Sequence, residues 1–175
     1  RRREVVVYEI GDKVVYPQHG AGVVVDRQVR DLLGTPSEYL TIRIIASDLT
    51  VMVPVDRAED AGLRPVISVA EVEVVLAALR GEDTQIAGNW NRRFKHNRDK
   101  MRTGDVLELA EVIRNLARRS DDKGLSSGER QMLARAKQIL ASELQYALDL
   151  EEAEALAYLD EQLAEIAHDR SAVEG

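Results

Sequence analysis

The sequence lacks cysteine altogether, and aromatic residues make up only 4% of its 175 residues. The absence of thiols excludes disulfides, thiol catalysis and cysteine-ligated zinc or iron–sulfur clusters. With one tryptophan and one phenylalanine in the chain, the core must be built from Leu, Val, Ile and Ala. Because a protein without disulfides suits a reducing compartment, we expect a cytoplasmic location.

Long apolar runs are also missing. No apolar stretch approaches the length of roughly 20 residues that a helix needs to cross a bilayer. The apolar residues that follow Arg1–Glu4 are too few for the central region of a signal peptide. We therefore expect no membrane partner. The chain starts with arginine instead of methionine, which leaves an upstream segment open.

The sequence contains no established catalytic or cofactor motif. His19, His96 and His168 are scattered and do not have the spacing of paired metal ligands. Gly20 and Gly22 lack the third glycine of a dinucleotide-binding loop and do not open a helix, so we interpret them as a turn. There is no phosphate-binding lysine loop and no nucleophile elbow. We predict that the protein is not an enzyme and holds no metal and no cofactor.

The formal net charge is −7, but the positive charge is concentrated in the middle of the chain. Residues 89–138 carry 13 Lys and Arg against 7 Asp and Glu, whereas residues 139–175 carry 1 against 10. A basic middle between acidic ends is typical of a nucleic-acid-binding patch on an otherwise repelling protein. A solvated helical surface with salt bridges has the same composition, so charge alone does not choose between the two.

Hydrophobic periodicity predicts strands in the first third of the chain. Between residues 10 and 56, short β-branched runs are separated by turn residues, and apolar and polar residues alternate from Leu49 to Val55. Four or five such strands predict a small, strongly bent, barrel-like sheet, with a plain meander as the alternative.

From Ser68 onward the period is helical. Ser68–Glu71 and Ser126–Glu129 match the capping box that begins many helices, and Gly81 predicts the end of the first one before a loop at 81–88. The last helix is predicted to end near Ile166, with residues 167–175 frayed. The chain is therefore predicted to be α+β, with a β module at 1–60, a linker at 61–67 and an all-α domain of about five helices at 68–175.

One segment, Asn89–Arg98, holds the single tryptophan, the single phenylalanine and four cations. If this segment is helical, the free amides of its first turn favour a phosphate, and the indole ring could stack on or wedge against a base. The competing interpretation makes Trp90 an anchor of the core. We favour an exposed ring, because Trp90 lies at a predicted junction of loop and helix beside Asn and Arg. The predicted DNA contacts in this segment are Trp90, Arg92, Arg93 and Lys95.

A further candidate is Arg130, in the first turn of the helix that follows Ser126. A cation is unfavourable there because the helix N-terminus carries partial positive charge. Such a broken local rule is typical of a functional site. Pairing of Arg130 with Asp121 or Asp122 is the alternative explanation.

Five stretches together resemble the CarD/CdnL family of bacterial RNA polymerase-binding transcription regulators. The five stretches are Gly11–Gly20, Asp48–Pro54, Asn89–Lys95, Gly104–Val106 and Gly124–Leu140. The resemblance extends over about residues 8–165 with the spacing preserved, and the second and last of these stretches together are highly specific.

The resemblance implies a Tudor-like β module that binds the β subunit of RNA polymerase at its β1 lobe, similar to the polymerase-interaction domain of the transcription-repair coupling factor. It also implies a helical domain that contacts promoter DNA at the upstream edge of the transcription bubble. The residues that match the family's functional positions are the wedge tryptophan Trp90, the DNA-contacting Arg92, Lys95 and Arg130, and the polymerase-binding Arg30.

A second polymerase-binding arginine of the family falls on Met52, so that contact is changed here. Thr50 shares the outward side of the same strand and completes the predicted polymerase-binding set. The resemblance thus predicts a regulator that stabilises the promoter open complex by a tryptophan wedge. Two alternatives remain: a free-standing DNA-binding repressor or nucleoid protein that uses the helix at 126–144 for recognition, and an interaction module of a larger ATP-driven enzyme.

Overall fold

The computed structural model describes residues 6–32, 34–82 and 89–175. Within these ranges the chain forms one five-stranded antiparallel sheet followed by five α-helices, which confirms the predicted α+β class. The strands run in the order β4-β3-β2-β1-β5, so β4 lies at one edge. Their bounds are β1 Lys13–Tyr16, β2 Gly20–Arg30, β3 Ser37–Ile44, β4 Thr50–Pro54 and β5 Arg64–Pro65.

The sheet core follows the period-two pattern of β3. Leu40, Ile42 and Ile44 alternate with more exposed neighbours and are fully buried. An irregularity in the pairing of β2 with β3, between Val24 and Asp26, interrupts the register of this long hairpin. Such bulges bend a strand and increase its twist, which allows a small sheet to curve around its own core.

Two sequence-based interpretations in this part of the chain need correction. Gly20, with a φ of +93°, closes the hairpin turn at residues 17–19 and begins β2, as a turn glycine should, whereas Gly22 lies within the strand. Both glycines are needed for close approach: a Cβ at Gly20 would lie 2.7 Å from Ser142 Oγ, and one at Gly22 would lie 2.6 Å from the Arg43 carbonyl oxygen.

The second correction concerns residues 61–67, which are part of the packed structure instead of forming a linker. Leu63 is buried in the sheet core, β5 pairs with β1, and Ile67 is buried in the helical core. Arg64, the one charged residue of this stretch, is held by a partner distant in sequence, Glu143.

The helices are α1 Val69–Arg80, α2 Trp90–Arg102, α3 Val106–Asp122, α4 Ser127–Ala147 and α5 Glu152–Glu174. Both predicted capping boxes are present, with Ser68 and Ser126 as the N-cap residues. Part of the predicted loop at 81–88 lies outside the described residues, from position 83 onward. The predicted frayed tail is instead helical to Glu174. Residues 167–174 contain no glycine or proline that would break the helix.

The β module and the helical domain are packed directly on each other through α4. The backbone N–H of Ala21 donates to Ser142 Oγ at 3.0 Å, and Arg135 donates to the Gln18 carbonyl oxygen at 2.8 Å. These contacts join β2 and the turn before it to the middle of α4. The position of the helical domain is therefore set by the sheet.

Candidate nucleic-acid interface

Helix α2 presents the tryptophan-bearing segment. Asn89 is its N-cap, with a side-chain oxygen that accepts from the Arg92 backbone N–H at 3.2 Å. Trp90 is thus the first helical residue, as the sequence predicts. Phe94 and Met101 pack against the helical core and fix the inner side of the helix.

Ion pairs also attach α2 to α3. The Lys100 ammonium lies 3.3 Å from carboxylate oxygens of both Glu108 and Glu111. The hydrogen bonds that Lys100 donates to Glu111 and Glu108 raise its pKa above the ordinary lysine value. These carboxylates neutralise Lys100, whereas Arg98 and Arg102 of the same helix are exposed.

Trp90 is held at the surface and is not an anchor of the core. Its relative exposure is 38%. One face stacks on Phe94, with ring centroids 4.8 Å apart and planes at 17°. The indole Nε1–H points toward α4, where Ser126 Oγ and Glu129 Oε1 each lie 3.0 Å away. The ring is therefore both accessible and fixed in orientation.

The cations predicted to contact DNA have different surroundings. Arg92 is exposed and Arg93 is half-buried. Lys95 is exposed, but its ammonium lies 2.8 Å from Asp99 one helical turn later. The hydrogen bond from Lys95 lowers the pKa of the Asp99 carboxyl below its ordinary value. The charge of Lys95 is therefore partly neutralised within α2.

Arg130 is exposed at the start of α4, next to the residues that hold the indole. Its guanidinium donates to the Leu125 carbonyl oxygen at 2.6 Å. Asp122, one of its two predicted partners, lies 3.8 Å from Arg170. The contact between Trp90 and Glu129 joins the start of α2 to the first turn of α4, which carries Arg130.

Sequence reasoning missed the residues that position this surface. Glu129 reads as a helix cap, and Asp99 as a solvated charge. Arg119, whose Nε lies 3.6 Å from Glu129 Oε2, reads as part of a separate basic cluster. The i,i+4 spacing of Lys95 and Asp99 could have identified that pair. No local pattern identifies the partners of Glu129, because those contacts join different helices.

The residues predicted to bind polymerase are exposed on the β module. Thr50 and Met52 lie on the edge strand β4, opposite Arg43 and Thr41 of β3. Arg30 lies at the end of β2, opposite Ser37. Paired residues share a face, and alternate residues of one strand do too, so all three point to the same side.

The same register separates Arg30 from the other two. Along β3, the position opposite Thr50 is six residues from the position opposite Arg30, which is about 20 Å at the rise of a β-strand. Arg43 is exposed directly opposite Thr50 and is a further cation on this face that the sequence did not single out. The candidate surface is therefore elongated, with a positive charge at each end.

Across residues 6–32, 34–82 and 89–175, no group of three or more His, Asp or Glu side chains could hold a metal ion. None of the helices formed by these residues combines the length and the apolar character that a membrane span requires.

Comparison with known proteins matches both parts of the chain. Residues 8–67 match the family model "CarD-like/TRCF RID domain", and residues 74–160 match "CarD, C-terminal domain". The chain is similar to "Putative transcription factor YdeB" of Bacillus subtilis (strain 168), with 34% identity over 139 residues, 79% of this chain and 91% of the relative.

A solved structure is also similar in sequence to the β module. The solution NMR structure of the 72-residue N-terminal domain of Myxococcus xanthus CarD is 28% identical, with 37% of this chain and 91% of that chain covered. The TM-score of this match is 0.30.

Proposed function

Because the chain belongs to the CarD family of transcription regulators, we propose that it binds RNA polymerase and stabilises the promoter open complex. In this proposal the β module binds the β1 lobe of the polymerase β subunit, and the helical domain contacts DNA at the upstream edge of the transcription bubble. The observation that carries the proposal is the accessible, fixed indole of Trp90 among cations of α2 and α4.

The β module acts as a tether. Attachment to polymerase raises the effective concentration of the helical domain near upstream DNA, so weak DNA contacts suffice. Arg92, Arg93, Lys95 and Arg130 contact phosphates, which fixes register and orientation without reading sequence.

Trp90 acts as the wedge. At the junction where base pairs open, its free face stacks against an unpaired base or fills the space that unstacking leaves, and this hinders reannealing. Stacking of an aromatic side chain on a base contributes about 1–3 kcal/mol. Since about 1.4 kcal/mol changes an equilibrium tenfold, one ring can prolong the open complex several-fold to about a hundredfold.

The polymerase-binding surface is the outward face of the β module, with Arg30, Thr50 and Met52. Edge strand β4 also offers backbone groups to a partner. Met52 is 38% exposed and presents an apolar side chain, so it packs on the partner where an arginine would form a charged contact. This difference changes the chemistry of the contact but not its location.

Two measurements on the unaltered protein test the proposal. The protein is expected to co-purify with RNA polymerase and to slow the decay of open complexes after competitor is added. A protein that is retained by polymerase but leaves the decay rate unchanged contradicts the proposed role in open-complex stability.

The alternative of a free-standing DNA-binding protein predicts tight, base-selective binding to short duplex without polymerase. A gel shift distinguishes the two. Helix α4, the predicted recognition helix of the alternative, packs against β2, α3 and α5 but keeps Arg130, Gln131, Ala134 and Gln138 exposed. The gel shift, and not the packing of α4, therefore decides between the two functions.

Charge reversal of Arg30 to glutamate is expected to weaken binding to the polymerase β subunit about five- to tenfold, because it replaces attraction by repulsion at the proposed interface. Retention on a β-subunit column measures the effect. The matched control is Arg80→Glu, the same reversal at an exposed position on α1. Equal retention of the two variants would remove Arg30 from the interface.

Replacement of Asp99 by asparagine is expected to tighten DNA binding about twofold, because it releases the Lys95 ammonium for a phosphate. The affinity of the polymerase-bound protein for upstream DNA should also depend more steeply on salt. Asp169→Asn, at an exposed position of α5, removes the same charge elsewhere and serves as the control. Identical gains in both variants would show a general effect of net charge and not a role for Lys95.

A further inference from the structure

Glu129 has more partners than a helix cap requires. Its side chain is 4% exposed. Glu129 Oε1 accepts from the Ser126 backbone N–H at 3.3 Å and from Ser126 Oγ at 3.0 Å, while Ser126 Oγ accepts from the Glu129 backbone N–H at 3.2 Å. The equivalent residue of α1, Glu71, closes its capping box with Ser68 at the protein surface. The two boxes are alike in sequence but different in surroundings.

The additional partners of Glu129 come from two other helices. The indole Nε1–H of Trp90 is shared between Glu129 Oε1 and Ser126 Oγ, each at 3.0 Å. Glu129 Oε2 lies 3.6 Å from Arg119 Nε of α3. A buried carboxylate needs such partners to offset its lost hydration. Glu129 therefore connects α2, α3 and α4 at the point where the tryptophan meets the surface.

These contacts leave the ring little freedom. Phe94 covers one face, and the N–H edge is bound by the first turn of α4. Gly128 belongs to the same turn: a Cβ there would lie 3.4 Å from Phe94 Cε2 and 3.7 Å from Trp90 Cζ2, so the backbone itself lies against the aromatic pair. The part of the ring that stays exposed is the part that neither Phe94 nor the first turn of α4 covers.

We propose that Glu129 is a positioning residue that holds Trp90 in the orientation in which it meets melted DNA, an inference that rests on the proposed wedge. A ring held in place beforehand loses less conformational entropy when it inserts. The carboxylate also fixes the orientation of the ring, since the hydrogen bond from Nε1–H can form in one orientation of the indole. Loss of Glu129 thus weakens the wedge without removing the aromatic ring.

Glu129→Ala and Glu71→Ala are the decisive pair of variants, because each removes the glutamate of a capping box. Since Trp90 is the single tryptophan, its indole ¹⁵N–¹H resonance and its fluorescence anisotropy report on the ring without labels elsewhere. Glu129→Ala is expected to shift the resonance, lower the anisotropy and shorten the open-complex half-life about three- to tenfold. Glu71→Ala should leave the resonance, the anisotropy and the half-life unchanged. Glu129→Gln should give values near those of the unaltered protein, because glutamine keeps an oxygen acceptor.

Trp90→Phe provides a second test that leaves the capping box of α4 complete. This variant keeps an aromatic ring but lacks the N–H. The half-life of its open complex is therefore expected to fall toward that measured with a variant that has no ring. A half-life equal to that of the unaltered protein would overturn the proposal. So would an indole resonance that is the same in Glu129→Ala and in the unaltered protein. If removing the ring has no effect on half-life, the wedge itself fails, and the resonance still shows whether Glu129 holds the ring.

Discussion

Replacement of Trp90 by alanine is expected to shorten the half-life of the open complex several-fold to about a hundredfold while binding to RNA polymerase is unchanged. The range follows from the contribution of about 1–3 kcal/mol from stacking of one aromatic ring on a base. Polymerase binding should persist, because the contacts of Trp90 are to Phe94 of α2 and to the first turn of α4, not to the β module.

The measurement combines open-complex decay with retention on immobilised polymerase. Leu107→Ala is a suitable control, because Leu107 is a large apolar side chain on α3 with a similar exposure of 43%. A thermal melt of both variants checks that the helical domain stays folded. A Trp90→Ala protein that binds polymerase and still gives the half-life of the unaltered protein would exclude the wedge.

Replacement of Glu143 by alanine is expected to be the most destabilising of these changes. The Glu143 side chain is 2% exposed, and its two oxygens accept from the Arg64 guanidinium at 2.6 and 2.8 Å. One of them also accepts from the Ile67 backbone N–H at 2.9 Å. Removal of one partner of a buried ion pair costs about 3–5 kcal/mol, because the other charge and the N–H lose their partner. We expect the lower end of this range, since Arg64 is 24% exposed and water can reach it.

Urea denaturation measures this loss as a change in the free energy of unfolding. Glu38→Ala is the control, because it breaks an ion pair with Arg27 in which the carboxylate is 41% exposed, and not 2% as in Glu143, and is therefore screened by solvent. Its loss should be much smaller. Replacement of both Arg64 and Glu143 by leucine should recover much of the stability, as apolar pairs often do. Similar losses of unfolding free energy for Glu143→Ala and Glu38→Ala would show that the buried position of Glu143 has no special effect on stability.

The location of Glu143 gives this ion pair a consequence for function. It joins β5 and the start of the helical domain to the C-terminal part of α4, while the Nε of Arg64 donates to the Gly104 carbonyl oxygen at 2.7 Å. The β module and the helices are thereby fixed relative to each other. In the proposed function, a protein attached to polymerase then presents Trp90 at one defined place.

Much of the fold could be predicted because it depends on neighbours in sequence. The alternation along Leu49–Val55 and the helical spacing after Ser68 predict the elements, and the two serine–glutamate boxes place the helix starts correctly. Asn89 beside Trp90 similarly predicts the start of α2. These signals are local, since an N-cap hydrogen bond spans three residues.

Other features depended on contacts between distant residues. Arg64 looks like part of a linker until Glu143, 79 positions later, makes it part of the core boundary. Gly20 closes a turn, but the local pattern does not show that Ser142 lies where a side chain at this position would be. Neither partner can be identified from the local pattern.

The sequence by itself determined the order of strands and helices and the presence of a single indole in a basic segment, because periodicity, capping and composition act over a few residues. Only the tertiary structure decided how that indole is held. Glu129 caps its own helix by a local rule, but it meets Trp90 because α2 and α4 pack side by side, 39 residues apart in the chain. A hydrogen bond over that separation depends on how the helices pack, and local sequence does not encode it.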